Sequence, residues 1–122
     1  MAYKKISIWD AFKKEKEGLK LFKYPIEFEN AEFIYIETEF GHESEFMHKT
    51  STFNYYIIEW EWIYHLDDEL VSVTKWDLIS IEPGTRIWYE WNMKMLLLCN
   101  PPWIEENEVS FGVKNPHYQN NS

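Results

Sequence analysis

Residues 46–103 constrain the fold of this chain more than any other part of the sequence. They form a succession of short apolar and aromatic runs separated by turn residues. Runs such as FNYYIIEWEW at 53–62 are rich in β-branched and aromatic residues, as strands are. Runs of strand length that recur about every 8–12 residues, without a long helical segment, are typical of sandwiches and barrels. The sequence therefore predicts an all-β fold.

Turn residues set the boundaries of these strands. Asp67-Asp68, between IYHL and ELVSV, predicts a two-residue hairpin, and EPGT at 82–85 predicts a turn between LISI and RIWYE. Consecutive prolines at 101 and 102 end the run at 93–100, because proline donates no ladder hydrogen bond. Residues 31–38 alternate with a period of two and predict a strand. Residues 41–52 predict a loop or a frayed edge strand, and 108–113 predict a short edge strand.

The beginning of the chain predicts a helical arm. Asp10 is a plausible N-cap for a short helix that reaches about Lys16, and Gly18 is suited to end it. We divide the chain into an N-terminal arm at 1–30, a barrel at 31–113 and a polar tail at 114–122. The 122 residues, 45% of them hydrophobic, are enough for one packed domain.

Composition narrows the classes of function. The formal net charge of −9 argues against nucleic acid as a partner, because phosphate binding needs a lysine- and arginine-rich surface. No apolar run approaches the roughly 20 residues that cross a bilayer, and we expect no membrane association. The single Cys99 forms no internal disulfide, which agrees with a reducing compartment. The predicted location is the cytoplasm.

Three segments resemble the cupin superfamily. They are YYIIEWEW at 55–62, KWDLISIEPGTRIWYEW at 75–91 and MKMLLLCNPPW at 93–103. The resemblance covers about half of the chain and implies a cupin-type double-stranded β-helix, or jelly-roll barrel, of the RmlC-like kind. Cupins include isomerases, dioxygenases, storage proteins and sensors, so the resemblance implies a fold more directly than an activity.

The metal ligands of the family do not survive in this sequence. Carried over from the two cupin motifs, the four ligand positions fall on Phe46, His48, Phe53 and Ile87. Three of these side chains have no atom that can coordinate a metal, and one imidazole does not make a mononuclear centre. His42 lies near in sequence, but its spacing from His48 matches no known metal motif. We therefore predict neither a metal nor another cofactor.

The same alternation places six side chains toward the interior of the barrel. These pocket candidates are Phe46, His48, Phe53, Tyr55, Ile87 and Tyr89. Three interpretations remain open at this point. The residues line an aromatic pocket for a small organic ligand, they simply fill the barrel, or His48 acts as a metal-free acid or base.

The predicted function is that of a metal-free, single-domain cupin that binds or senses a small molecule, with carbohydrate-like ligands among the candidates. We expect a homodimer formed through sheet edges. Two alternatives stand beside this one: a cupin enzyme of the sugar isomerase, epimerase or dioxygenase type, and a filled-barrel structural protein. Whether the chain is an enzyme is left open.

Tryptophan occupies four positions where the cupin pattern has glycine or a small turn residue. These positions are Trp60, Trp62, Trp76 and Trp91, in a chain with 7 tryptophans and 4 glycines. Glycine is preferred in such turns because it adopts positive φ without steric cost. We therefore predict positive φ, or the close approach of another backbone, at these positions and a gene that encodes glycine there, through a UGA codon read under a different genetic code. The alternative is that they are tryptophans of an oligomer interface or exposed surface.

Overall fold

Eleven strands make up most of the chain in a computed structural model that describes residues 3–26 and 30–119. Short 3₁₀ helices lie at Ile8–Asp10, Glu105–Asn107 and Pro116–Tyr118. In the described part of the chain, no helix has the length and apolar character needed to cross a membrane. The strands are β1 (Phe12–Lys16), β2 (Leu19–Tyr24), β3 (Glu32–Thr38), β4 (Ser44–His48), β5 (Thr52–Glu59), β6 (Trp62–Leu66), β7 (Glu69–Val73), β8 (Leu78–Ile81), β9 (Ile87–Glu90), β10 (Met93–Asn100) and β11 (Glu108–Val113).

These strands form two antiparallel sheets. One has six strands in the order β1-β2-β3-β10-β5-β8, and the other has five in the order β11-β4-β9-β6-β7. The inner faces of the two sheets share one hydrophobic core. The predicted all-β, jelly-roll architecture is confirmed, although strand pairing does not join the two sheets into a closed barrel.

Strand β10 shows how the sequence sets the inner face of a sheet. Met93, Met95, Leu97 and Cys99 are buried and alternate with more exposed residues along the strand. Leu97 lies opposite Ile34 of β3 on one side and opposite Tyr55 of β5 on the other. Full burial of one such apolar side chain contributes about 1.5–3 kcal/mol. The strict alternation therefore fixes the register of the central strand.

Aromatic side chains connect the two sheets across the core. Tyr55 of β5 lies 5.3 Å from Tyr64 of β6, and Phe53 of β5 lies 5.8 Å from Phe46 of β4, both measured between ring centroids. The buried Tyr64 hydroxyl donates to the Met95 sulfur at 3.1 Å. Rings at these distances interact favourably, and they hold the faces of the two sheets at a fixed separation.

The predicted helix from Asp10 to Lys16 is wrong. The helical turn lies earlier, at Ile8–Asp10, and is capped by Ser7. Residues Phe12–Lys16 are strand β1, which pairs with β2, and β2 pairs in turn with β3. Glu17 and Gly18 form the intervening turn, with φ of 52° and 77°. Residues 12–16 and 19–24 of the predicted arm thus belong to the six-stranded sheet, because pairing with neighbouring strands outweighs weak local helix propensity.

Two further segments differ from their predictions. Residues 41–52 contain β4, which lies between β11 and β9 and is neither a loop nor an edge strand. In the polar tail, Asn115 is completely buried and Pro116–Tyr118 forms a helical turn. The hairpin at Asp67-Asp68 is confirmed, with φ of 49° and 68°, and so is the edge strand β11.

Positive φ is confirmed at three of the four tryptophans. Trp60, Trp76 and Trp91 have φ of 77°, 79° and 77°. The prediction is wrong for Trp62, which lies in β6 opposite Val73 and is 3% exposed. The indole Nε1 of Trp62 has no hydrogen-bond partner among the described residues. The backbone therefore favours glycine at three turns and accommodates a large side chain at 62.

Candidate functional site

A cavity of about 340 Å³ lies between the two sheets. Its volume falls near the lower end of the roughly 300–1,000 Å³ that small-molecule sites occupy, and it suits one small ligand. Its walls are largely apolar, polar groups converge on one part, and charged side chains line its rim. The lining residues are Phe12, Lys14, Lys16, Leu19, Leu21, Lys23, Glu32, Ile34, Ile36, His42, Phe46, Phe53, Tyr55, Tyr89, Leu97, Cys99, Trp103 and Glu108.

Four of the six predicted pocket residues line this cavity. They are Phe46, Phe53, Tyr55 and Tyr89, and each is buried. Ile87 is also buried but is not part of the lining; it pairs with Phe46 where β9 meets β4. His48 likewise does not line the cavity. The alternation of β4, β5 and β9 therefore placed all six side chains inside, without showing which of them face the open space.

His48 binds the main chain instead of facing a ligand. Its Nδ1 accepts a hydrogen bond from the Ser51 backbone N–H at 3.0 Å. The ring proton of neutral His48 is then on Nε2, which lies 3.1 Å from the Ile104 carbonyl oxygen and donates to it. Both ring nitrogens are used, so the interpretation of His48 as an acid or base is not supported. Its role is to connect β4 to the segment before β11.

The residues present do not fit a cupin metal centre. Phe46 and Phe53 pack ring against ring at 5.8 Å, and Ile87 is a core residue. The one histidine at a ligand position has both nitrogens engaged by the backbone. Among the residues that the structure describes, no group of three or more His, Cys, Asp or Glu side chains is placed to hold a metal ion.

The histidine of the cavity is His42, which lies just before β4. Its backbone N–H donates to the Tyr89 carbonyl oxygen at 3.0 Å. Its Nδ1 lies 2.6 Å from the Ser44 carbonyl oxygen, and a carbonyl only accepts, so Nδ1 carries the ring proton. Nε2 is thereby left with a free lone pair. The ring lies against Phe46, with centroids 4.4 Å apart.

The polar groups of the cavity are held in their neutral forms. Burial, together with the positive charge of Lys16, lowers the pKa of His42 to about 3, although the hydrogen bond to the Ser44 carbonyl oxygen acts in the opposite direction. Burial also raises the pKa of Tyr55 and that of Tyr89 far above the usual range for a phenol. The two phenols interact with each other through their hydroxyls. At neutral pH the cavity therefore holds an unprotonated imidazole beside two hydroxyl donors.

Burial of neutral His42 makes the stability of the protein sensitive to acid. Its folded pKa of about 3 lies below the roughly 6.5 of an unfolded chain, so below pH 6.5 only the unfolded state gains a proton. From pH 8 to pH 5, this group lowers the free energy of unfolding by about 2 kcal/mol. Urea unfolding of the parent and of His42→Gln at both pH values measures the effect. We expect the parent to lose about 2 kcal/mol more than the variant, and equal losses would contradict the depressed pKa.

Three side chains form a cluster at the rim of the cavity. The Trp103 indole N–H donates to Glu108 Oε1 at 3.0 Å. The Lys16 ammonium lies 3.7 Å from Glu108 Oε2 and 4.3 Å from the centroid of the Trp103 ring. The three residues come from β11, β1 and the segment after β10. They present an aromatic surface and paired charges to whatever enters the cavity.

Comparisons with known proteins agree with this architecture. No family model matches the chain, and no curated protein matches it either. Among solved structures, KdgF from Halomonas superposes with a TM-score of 0.71 at 9% identity, over 86% of this chain and 99% of that one. An RmlC-like cupin from Shewanella frigidimarina superposes with a TM-score of 0.65 at 14% identity, over 77% and 86%. The chain therefore shares the cupin fold of these proteins.

The chain is also similar to Pac13 from Streptomyces, a nucleoside dehydratase. A Tyr55→Phe variant of Pac13 with uridine superposes with a TM-score of 0.86 at 27% identity, over 93% of each chain. A His42→Gln variant with uridine gives 0.88 at 26% identity, over 95% of this chain and 98% of that one. A third uridine-containing structure carries Tyr89→Phe. In the present chain, positions 42, 55 and 89 are His42, Tyr55 and Tyr89, and all three line the cavity.

The sequence did not identify His42 or the rim cluster of this chain as parts of one site. One pattern in the sequence could have identified His42. His42, Ser44, Phe46 and His48 stand at every second position, as residues on one face of a strand do, and all four are buried. If β4 is extended backward by one alternation, His42 points inward. No comparable signal joins Lys16, Trp103 and Glu108, since they come from opposite ends of the chain.

Proposed function

We propose that this protein binds a nucleoside in the cavity and removes water from it. The observation that carries the proposal is the neutral His42, whose Nε2 has no hydrogen-bond partner among the described residues, beside the Tyr55 and Tyr89 phenols in one largely apolar cavity. The similarity to Pac13, a nucleoside dehydratase with structures that contain uridine, supports it over most of both chains.

The chemistry of dehydration matches these groups. In our proposal, the Nε2 of His42 takes a proton from a sugar carbon that a neighbouring electron-withdrawing group has made acidic. The electron pair of that C–H bond becomes the new C=C bond, and the adjacent C–O bond breaks. The departing hydroxide receives the proton from the His42 imidazolium and leaves as water. One histidine thus serves as base and then acid, and no external reactant is consumed.

The surroundings of His42 assist this sequence in two ways. The phenols of Tyr55 and Tyr89 stay protonated and can donate hydrogen bonds to oxygens on which negative charge develops. Imidazolium and negative charge arise together in an apolar space, so each stabilises the other more than it would in water. The low pKa keeps His42 in the form that accepts the proton.

Uridine is the first probe of the proposal. We expect saturating uridine to raise the melting temperature, because a ligand that binds only the folded state at about 100 times its Kd adds about 2.7 kcal/mol to stability. Adenosine and free ribose serve as comparison ligands, and calorimetry gives the Kd. Incubation with uridine derivatives oxidised at the sugar, followed by mass spectrometry, detects a product that has lost one water. No binding of any nucleoside would overturn the proposal.

A binding or sensing module is the second candidate, favoured by the small, largely apolar cavity itself. Its signature is nucleoside binding without loss of water from any derivative tested. The homodimer and the cytoplasmic location stay predictions, and sedimentation analysis tests the first of them.

A further inference from the structure

Segment 39–43, which carries His42, belongs to no strand of either sheet. Its ladder contact is an isolated bridge between Gly41 and Glu90. Gly41 has φ of 95°, and a Cβ at this position would overlap the carbonyl oxygen of Tyr89. The segment therefore passes very close to β9, where the His42 N–H donates to the Tyr89 carbonyl oxygen and the Trp91 N–H donates to the Phe40 carbonyl oxygen, both at 3.0 Å. On its other side, the segment has no strand neighbour in the described part of the chain, and contacts from elsewhere add to these bonds.

The largest set of side-chain contacts to this segment comes from residues 114–118, here called the strap. At its centre, Asn115 is 0% exposed. The Asn115 Nδ2 lies 2.7 Å from the Phe40 carbonyl oxygen, 3.2 Å from that of Tyr89 and 3.3 Å from that of His42. Its Oδ1 accepts from the His117 backbone N–H at 3.1 Å. One side-chain amide thus connects the main chain of the His42 segment with the main chain of β9 at Tyr89.

The rest of the strap reinforces this connection. The backbone N–H groups of Lys114 and Asn115 both donate to the Glu43 carbonyl oxygen at 3.2 Å. The Tyr118 hydroxyl donates to the Gly41 carbonyl oxygen at 2.9 Å. The His117 ring stacks on Phe40, with centroids 5.3 Å apart. The strap therefore contacts the His42 segment on both sides of the histidine.

We propose that Asn115 is a positioning residue that sets the place of His42 relative to Tyr89 and keeps water away from its ring. The expected effect of Asn115 on catalysis rests on the proposed function. An asparagine suits this place because its amide donates to carbonyl groups while its oxygen accepts from the strap. Aspartate has the same shape but only accepts, so it faces three carbonyl oxygens without a proton to give.

Titratable groups face the cavity or the His42 segment from each of the elements around them. They are Lys14 and Lys16 of β1, Lys23 of β2, Glu32 of β3, Tyr55 of β5, Tyr89 and Glu90 of β9, Cys99 of β10, Glu108 of β11, and His117 and Tyr118 of the strap. Of these, Lys16 opposes protonation of His42 by its charge, in the same direction as burial. Loss of the Asn115 contacts admits water without moving the groups that lie outside the strap, so the pKa of His42 should then rise toward its ordinary value.

The experiment compares Asn115→Ala and Asn115→Asp with the control Asn107→Ala. The Asn107 side chain also donates a hydrogen bond, to Thr50 at 3.2 Å, but on the exposed surface. NMR titration of the ring nitrogens, without substrate, should show His42 neutral down to about pH 5 in the parent and the control. In both Asn115 variants it should titrate between about pH 5 and pH 7. The kcat should fall at least about tenfold in these variants, with KM changed less than about threefold.

A folded Asn115 variant with a neutral His42 at pH 5 and parental kcat would overturn the inference. Where neither Asn115 variant folds, Tyr118→Phe removes only the hydroxyl donor to Gly41, and the same two readouts should shift in the same direction. The NMR readout needs no turnover. A shift of His42 in a protein that converts no nucleoside would therefore support positioning while it overturns the proposed function.

Discussion

Replacement of His42 by glutamine is expected to lower kcat about 10³-fold, while the Kd of the nucleoside stays within about threefold of the parent value. Glutamine fills a similar space and can still donate to the Ser44 carbonyl oxygen through its amide. It has no basic nitrogen, so removal of the C–H proton loses its acceptor. Single-turnover kinetics by mass spectrometry and calorimetric titration of uridine measure the two quantities.

His65→Gln is the matched control for this experiment. His65 lies in β6, where it stacks on Trp88 at 3.7 Å between ring centroids and contacts Glu90 at 2.6 Å, and it is not part of the cavity lining. We expect its kcat to match that of the parent. If His42→Gln retained more than about a tenth of the parental kcat, another group would have to be the base.

Replacement of Trp60, Trp76 and Trp91 together by glycine is expected to raise the free energy of unfolding by about 3 kcal/mol. Each tryptophan has positive φ, which costs a side-chain-bearing residue about 1–2 kcal/mol, whereas glycine adopts it freely. The three residues are 56%, 61% and 52% exposed, and the ring contacts of Trp76 with Tyr56 and of Trp91 with His117 are lost, which offsets part of the gain. Urea unfolding of the single and triple variants measures the gain.

Trp62→Gly is the control, and for this variant we expect a decrease in the free energy of unfolding. Trp62 is 3% exposed and lies in regular strand, so its loss leaves a cavity and should lower stability by about 3–5 kcal/mol. Loss of stability in all three single variants at 60, 76 and 91 would contradict the assignment of backbone strain. The nucleotide sequence tests the codon hypothesis separately, since UGG at these three positions would end it.

Much of the fold follows from local pattern. The spacing of apolar runs predicted strands β3 and β5 to β11, and the hairpin at Asp67-Asp68 followed from turn chemistry alone. The cupin resemblance then predicted the jelly-roll arrangement and the interior position of Tyr55 and Tyr89. The strained turns at Trp60, Trp76 and Trp91 could also be predicted, because a position where the family has glycine is expected to have positive φ whichever residue occupies it.

The site was harder to predict because tertiary contacts create it. His42 lies in an irregular segment that Asn115, 73 residues later in the chain, holds in place. The rim cluster forms only once β1 has paired at the edge of the sheet, and the local sequence of Phe12–Lys16 is compatible with a helix. His48 sits at a position where cupins bind metal, yet its nitrogens bind backbone groups that no sequence pattern identifies.

Cys99 has a consequence for the chemical durability of a dehydrating site. Loss of water beside an electron-withdrawing group yields a conjugated alkene, which is an electrophile that would alkylate a thiolate in contact with it. Cys99 lines the cavity, but burial raises its pKa far above the usual range for a thiol. The sulfur therefore stays protonated and poorly nucleophilic. Burial thus lets a sulfur atom form part of the cavity wall without trapping the product of the proposed reaction.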